Sequence, residues 1–222
     1  MEKEKPRPQP FGPLKRFGVL GGSFDPVHIG HLSIAQQILN ALKLEQVVLL
    51  PAATPPHKKD SPEMASARDR FLMCRLAVHN MHGLSASDFE LQRGGVSYTR
   101  DTARLLREAY PGAEIFFLIG SDSLADLPHW YEIRELLALI DFAIAERRET
   151  PIQAPLWENI RQTLGPEAEA KLRRGVVPIE RVDISSSQIR QLLKTGQKLP
   201  AWLRRDVEDY IRRKGLYGAK RD

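Results

Sequence analysis

Cysteine is almost missing from this chain: Cys74 is the single one in 222 residues. An intramolecular disulfide is therefore impossible, and nothing points to an oxidising compartment. Cys74 itself falls in an apolar helical pattern and reads as core rather than as a nucleophile. Long apolar runs are missing too. The longest strand-like one, Ile115 to Ile119, is far too short to span a bilayer, and no N-terminal apolar segment resembles a signal peptide. The expectation is a cytoplasmic protein with no membrane partner. Internal repeats are also lacking. What is present is an ordinary globular balance, 42% hydrophobic and 27% charged, with 33 Lys and Arg against 28 Asp and Glu for a net charge of +5. That length buries a sizeable core. The positive bias fits a solvated surface or a cleft for phosphates. A nucleic-acid partner is not expected, because the basic ends, Lys3 to Arg16 and Arg204 to Arg221, carry only Phe11, Tyr210 and Tyr217 as aromatics, too few for a row of stacking platforms.

Residues 1–13 are rich in Lys, Glu and Pro and read as a flexible tail. From Phe17 the pattern changes. The strand Phe17 to Leu20 runs into Gly21-Gly22-Ser23-Phe24-Asp25-Pro26. A helix follows with Leu32, Ala35, Ile38, Leu39 and Leu42 at helical spacing, then the strand Val47 to Leu50 closed by Pro51. This is a βαβ unit. Pro51 to Pro62 is a proline-rich loop. Helix is expected over Ala65–Asn80, a weak strand over Leu84–Phe89, helix over Tyr98–Tyr110 and a buried strand over Glu114–Ile119. Tyr131–Leu139 reads as helix, Phe142–Ala145 as strand, and Thr150–Arg174 has no sheet signal, with a helix near Leu156–Leu164. Val176–Ile179 is the last strand, and helices follow over Ser185–Leu193 and Ala201–Lys214. The alternation predicts an α/β fold, a doubly wound, mostly parallel sheet with helices on both faces. It forms one domain over residues 14–222, whose C-terminal helical part begins near 185. Ligands in such sheets bind beyond the carboxyl ends of the strands.

The string GGSFDPVHIGH, Gly21 to His31, stands at such a strand end. It is not the dinucleotide fingerprint, since G-x-G-x-x-G is absent, and not a P-loop, since no G-K-[ST] follows. In their place are His28 and His31, three apart and so on one helix face. They could ligate a metal, act as acid and base, or donate hydrogen bonds to phosphate. No third ligand lies nearby with zincin spacing, so no protein metal site is predicted. Imidazole N–H groups at the positive end of a helix suit charge building on phosphoryl oxygens. Downstream, Ile184 to Arg190, ISSSQIR, opens another helix. Its serines are good N-caps. Three hydroxyls, free N–H groups and an arginine one turn later also suit an anion.

GGSFDPVHIGH resembles the G-x-F-x-P-x-H-x-G-H signature of the adenylyl- and cytidylyltransferase superfamily. ISSSQIR resembles its second signature, I-S-S-T-x-I-R, with Ser187 in place of Thr. Pro55 to Lys58, Ser97 to Thr102, Gly120 to Asp122, His129 to Tyr131 and the closing Val207 to Tyr217 are similar to bacterial nicotinate-nucleotide adenylyltransferases. The resemblance implies a Rossmann-like nucleotidyltransferase fold and adenylyl transfer from ATP to nicotinate mononucleotide, giving deamido-NAD (nicotinate adenine dinucleotide) and pyrophosphate. His28, His31 and Arg190 would be catalytic. Gly21, Gly22, Ser23, Phe24, Gly30, His57, Gly120, Asp122, Ser185, Ser186 and Ser187 would meet ATP. Lys58, Thr99, Trp130 and Tyr131 would meet the second substrate, with Trp130 stacking on the pyridine. Mg²⁺ would be the cofactor, held mainly by ATP phosphates. A homo-oligomer is compatible with the sequence. The rivals are an adenylyltransferase for nicotinamide mononucleotide or phosphopantetheine, and a non-catalytic nucleotide sensor or nucleic-acid-binding module. A class I aminoacyl-tRNA synthetase would be longer and carry a K-M-S-K-S loop, which is absent.

Overall fold

A computed structural model describes residues 9–55, 63–180 and 182–220. Its frame is a six-stranded sheet of β1 (Arg16–Gly22), β2 (Gln46–Pro51), β3 (Leu84–Ala86), β4 (Glu114–Gly120), β5 (Asp141–Arg147) and β6 (Val176–Ile179). The spatial order is β3-β2-β1-β4-β5-β6, and every pairing is parallel. This is the doubly wound order whose direction reverses between β1 and β4. The mouth of the sheet therefore lies where Gly21 and Gly22 end β1 and Gly120 ends β4.

The strands are buried on both faces, and successive side chains alternate between two cores. Ile115, Phe117 and Ile119 of β4, with Phe142 and Ile144 of β5, enter one apolar cluster; Leu118, Ala143 and Ala145 enter the other. The second cluster is closed by α1 (Ile29–Ala41), α2 (Ala67–Val78), α8 (Ser186–Thr195) and α9 (Arg205–Lys214). The first is closed by α4 (Thr99–Ala109), α5 (Ile133–Leu139), α6 (Ala154–Leu164) and α7 (Pro166–Arg174). A short α3 (Phe89–Arg93) completes the set.

Three local departures from the sequence expectation are seen, the first two with a physical reason in the backbone. The weak strand over Leu84–Phe89 ends at Ala86, because Phe89–Arg93 turns as a helix behind Asp88. The stretch without sheet signal, Thr150–Arg174, carries two helices, separated at Gly165, whose φ of +98° breaks the turn ahead of Pro166. The final helix begins at Arg205, not Ala201. Within 1–13, Phe11 packs on Phe17 and Tyr110 at ring distances of 5.9 and 6.0 Å, and its N–H donates to the Tyr110 hydroxyl at 2.7 Å. An aromatic ring among prolines was the available signal that the chain is held from there onward. Among the described residues, no helix is long and apolar enough to cross a membrane.

Candidate active site

Where β1 ends, the backbone must pass close to β4. A Cβ on Gly21 would stand 2.6 Å from the Phe117 ring, so only glycine fits. The chain then turns through Ser23 and the buried Phe24, Asp25 and Pro26 to the N-cap of α1, His28. The two imidazoles lie against each other, ring centroids 3.7 Å apart and planes tilted by 33°. The His28 backbone N–H donates to His31 Nδ1 at 3.2 Å. That bond fixes the tautomer: Nδ1 of His31 is an acceptor, so its proton sits on Nε2. Burial pushes His28 down to about 4, and burial together with His28 pushes His31 down to about 3. Both rings are neutral at neutral pH and serve as hydrogen-bond donors without carrying charge. Buried His28 Nδ1 has no hydrogen-bond partner among the described residues. Gly30 makes room for this ring, since a Cβ there would stand 3.0 Å from His28 Cε1 and Nδ1.

The second signature meets the first. Arg190 Nη1 donates to the backbone carbonyl of Asp25 at 2.7 Å, and Ser186 Oγ donates to the carbonyl of Pro26 at 2.8 Å. The openings of α1 and α8 thus share one site. Ser185 is the N-cap of α8, its Oγ accepting from Gln188 N–H at 3.2 Å while its own N–H donates to Gln188 Oε1 at 2.9 Å. Ser187 Oγ accepts from Arg190 Nη2 at 3.3 Å. Ser187 and Arg190 line a cavity of about 460 Å³ with Gln191, Lys194 and Tyr217.

On the other side of Gly21 to Ser23 a larger cavity of about 810 Å³ opens, walled by Thr99, Trp130 and Tyr131 as well as Tyr98 and Phe117. Trp130 is braced edge-on by Phe117 and Phe142, each 6.2 Å away. Tyr131 is exposed, stacks near Tyr98 at 4.7 Å, and takes a hydrogen bond from Arg100 Nη2 at 2.9 Å. Thr99 is the first residue of α4, where backbone N–H groups lack intrahelical partners. Gly120 lies at the end of β4, and Asp122 is exposed and paired with Arg147 at 2.5 Å. His57 and Lys58 lie outside the described residues.

Sequence reasoning missed three buried polar groups. Asp25, only 3% exposed, accepts at Oδ1 from Ala65 N–H at 3.0 Å and from the Tyr217 hydroxyl at 2.7 Å. Arg70, fully buried in α2, donates to the carbonyls of Ser23, Ala52, Ala53 and Ala65 at 2.7 to 3.2 Å, stapling three loops under the glycine turn. Glu90 lines the large cavity; burial raises its carboxyl, while hydrogen bonds from Ser97 and Thr102, the latter at 2.6 Å, oppose that. Asp25 lay inside the signature and was passed over as a loop residue. Arg70 sits in a helical pattern that reads as solvated, and Glu90 lies between the expected elements, in the unforeseen helix Phe89–Arg93.

A cytidylyltransferase-like family model matches residues 19–192. A chain of Shouchella clausii named probable nicotinate-nucleotide adenylyltransferase is 40% identical over 92% of this chain and 98% of its own length. One of Desulfatibacillum aliphaticivorans with the same name is 36% identical over 91% and 99%. The Plasmodium falciparum nicotinic acid mononucleotide adenylyltransferase, solved in complex with NaAD, superposes with a TM-score of 0.72, covering 93% of this chain and 98% of that one at 20% identity, a likeness of fold alone. The chain belongs to the cytidylyltransferase-like family and, within it, to the nicotinate-nucleotide adenylyltransferases.

Proposed function

We propose that this chain transfers the adenylyl group of ATP to nicotinate mononucleotide, forming nicotinate adenine dinucleotide and releasing pyrophosphate. The observation that carries this reading is the 2.7 Å contact of Arg190 with Asp25. It puts the second signature against the first, beside the turn from which the large aromatic cavity opens. Names carried by relatives at 36 to 40% identity support the acceptor.

In this reading the mononucleotide phosphate attacks the α-phosphorus of ATP in line, its oxygen bonding to phosphorus as the bond to pyrophosphate breaks. The attacking oxygen is already anionic near neutral pH, so no base and no protein nucleophile are needed, and the protein's work is positioning and charge stabilisation. Neutral His31, with its proton on Nε2, donates to the α-phosphoryl oxygens, and His28 donates beside it. Gly21 to Phe24 and Gly30 let the nucleotide approach the backbone. Ser187 and Arg190 hold the leaving pyrophosphate, with Ser185 and Ser186 shaping the opening of α8. Gly120 and Asp122 meet the ribose or adenine, and His57 and Lys58 add positive charge over the phosphates. Trp130 stacks on the pyridine, while the first-turn N–H groups at Thr99 and the Tyr131 main chain receive its carboxylate.

Among the described residues no group of three or more His, Cys, Asp and Glu gathers as a metal site. The residues present fit an Mg²⁺ ion that arrives on the triphosphate and neutralises charge on the leaving group. The reaction belongs to the cytoplasm.

The test is pyrophosphate release from ATP and Mg²⁺ with nicotinate mononucleotide, nicotinamide mononucleotide or phosphopantetheine as acceptor. Turnover is expected with the first. Turnover with phosphopantetheine alone would overturn the substrate assignment.

A further inference from the structure

The phosphate side of the site is completed from far along the chain. Tyr217 lies in the short turn Leu216–Gly218 beyond α9. Its φ is +57°, in the left-handed region, between Gly215 at +63° and Gly218 at +73°. A bulky residue held there is an outlier that the surroundings must impose. What imposes it is visible: the hydroxyl donates to Asp25 Oδ1 at 2.7 Å across 192 residues of sequence, and the ring walls the same cavity as Ser187, Arg190 and Lys194.

The carboxylate so held faces Arg190 without capturing it. Oδ1 of Asp25 is occupied by Tyr217 and by Ala65 N–H, while Oδ2 stands 3.6 Å from Arg190 Nη1, too far for a hydrogen bond. Nη1 donates instead to the Asp25 backbone carbonyl at 2.7 Å, and Nη2 to Ser187 Oγ at 3.3 Å. The guanidinium is therefore hydrogen-bonded by two neutral oxygens, with the carboxylate paired to it only at 3.6 Å. Were the carboxylate free to turn, a buried anion this close would tighten the 3.6 Å ion pair into a hydrogen-bonded one and compete with phosphate for the same N–H groups. Burial, followed by the Asp25 charge, holds the Tyr217 phenol above its ordinary range, so it stays protonated and can only donate to the carboxylate.

We infer that Tyr217 is a positioning residue for the triphosphate: its hydroxyl restrains the Asp25 carboxylate and thereby leaves Arg190 available to the β- and γ-phosphates. The inference rests on the ATP reading above, and is independent of which acceptor is used.

The test is binding, measured by calorimetry on the whole chain with MgATP and with AMP, which lacks the β- and γ-phosphates. Tyr217→Phe removes one oxygen. It is expected to weaken MgATP about tenfold, the scale of one buried hydrogen bond to a charged group, while AMP changes less than about twofold. In an Arg190→Gln background the same change should have no further effect on MgATP, the non-additivity expected of one linked unit. Asp25→Asn, which keeps an oxygen acceptor but removes the charge, should restore MgATP binding in the Tyr217→Phe protein, because a neutral amide pulls on the guanidinium far less than a carboxylate does. Equal losses of ATP and AMP, additive effects with Arg190→Gln, or no effect of Tyr217→Phe would each overturn the inference. If circular dichroism shows Tyr217→Phe unfolded, the single Asp25→Asn protein decides: MgATP binding unchanged or tighter supports the inference, and weaker binding overturns it. A wild type that binds MgATP but turns over another acceptor would sink only the acceptor assignment.

Discussion

On the side of the site where α1 and α8 begin, Asp25, Ser185, Ser186 and Arg190 all have partners within the protein, beneath which the fully buried Arg70 ties three loops together. On the side where Tyr98, Trp130 and Tyr131 gather, the walls are aromatic, the cavity is about 810 Å³, and Tyr131 is 47% exposed. The first side is a fixed polar lattice in which each group orients the next. The second is a set of flat surfaces with helix-start N–H groups at the edge. In the proposed reading a highly charged triphosphate needs donors that do not have to reorganise as charge shifts, and donors already cross-linked to the protein meet that need. A planar pyridine needs area and one or two polar contacts, which a looser wall supplies.

The contrast can be broken or sharpened by four measurements. The largest effect is expected from His31→Ala, which removes a donor from the fixed side. Turnover should fall by about 10²- to 10³-fold with an unchanged circular dichroism spectrum; activity near wild type would remove His31 from its role. Acid is the next lever. Below about pH 6.5 the unfolded chain takes up protons at His28 and His31 that the folded chain refuses until about 4 and about 3, so stability falls as pH drops through that window. The loss from pH 6.5 to 5 should be on the order of 2–4 kcal/mol for the ligand-free protein. Urea titrations of wild type and a His28→Gln, His31→Gln protein should show the slope shrinking in the variant. A wild-type midpoint that is flat across the window would contradict the buried, neutral state.

Gly30→Ala is milder. Its Cβ would press the His28 ring at 3.0 Å and shift it by a few tenths of an ångström. Turnover should drop roughly tenfold without loss of fold, since sub-ångström placement of catalytic groups is costly. On the loose side, Trp130→Ala should raise KM for the mononucleotide by about five- to tenfold, with KM for ATP unchanged. If both KM values rose together, the two sides would not be separable.

The βαβ start, the parallel sheet and the boundaries of most elements could be read from periodicity, because strands buried on both faces, such as Glu114–Gly120, leave an unbroken apolar run. That the histidine pair and Arg190 lie on segments that meet was expected from the resemblance of GGSFDPVHIGH and ISSSQIR to two signatures of one superfamily, since a serine-led helix opening alone reads equally as a plain cap. Asp25 was not, since the value of a buried carboxylate depends on Tyr217 and Arg190, which are distant in sequence. Arg70 was not, because an arginine in an amphipathic pattern reads as surface until the carbonyls around it are known. Nor did Ser185 to Ser187 announce their division of labour: one caps, one ties to Pro26, and one faces the cavity.

The hydrogen bond between Tyr217 and Asp25 also sets an order of assembly. A ribosome that has made β1 to β6 has already produced both imidazoles and the mouth of the sheet. Yet one wall of the cavity lined by Ser187 and Arg190 arrives only when residue 217 clears the exit tunnel and folds back on a loop made 192 residues earlier. Nascent or prematurely halted chains would hold the sheet and both imidazoles but lack the Tyr217 wall of that cavity.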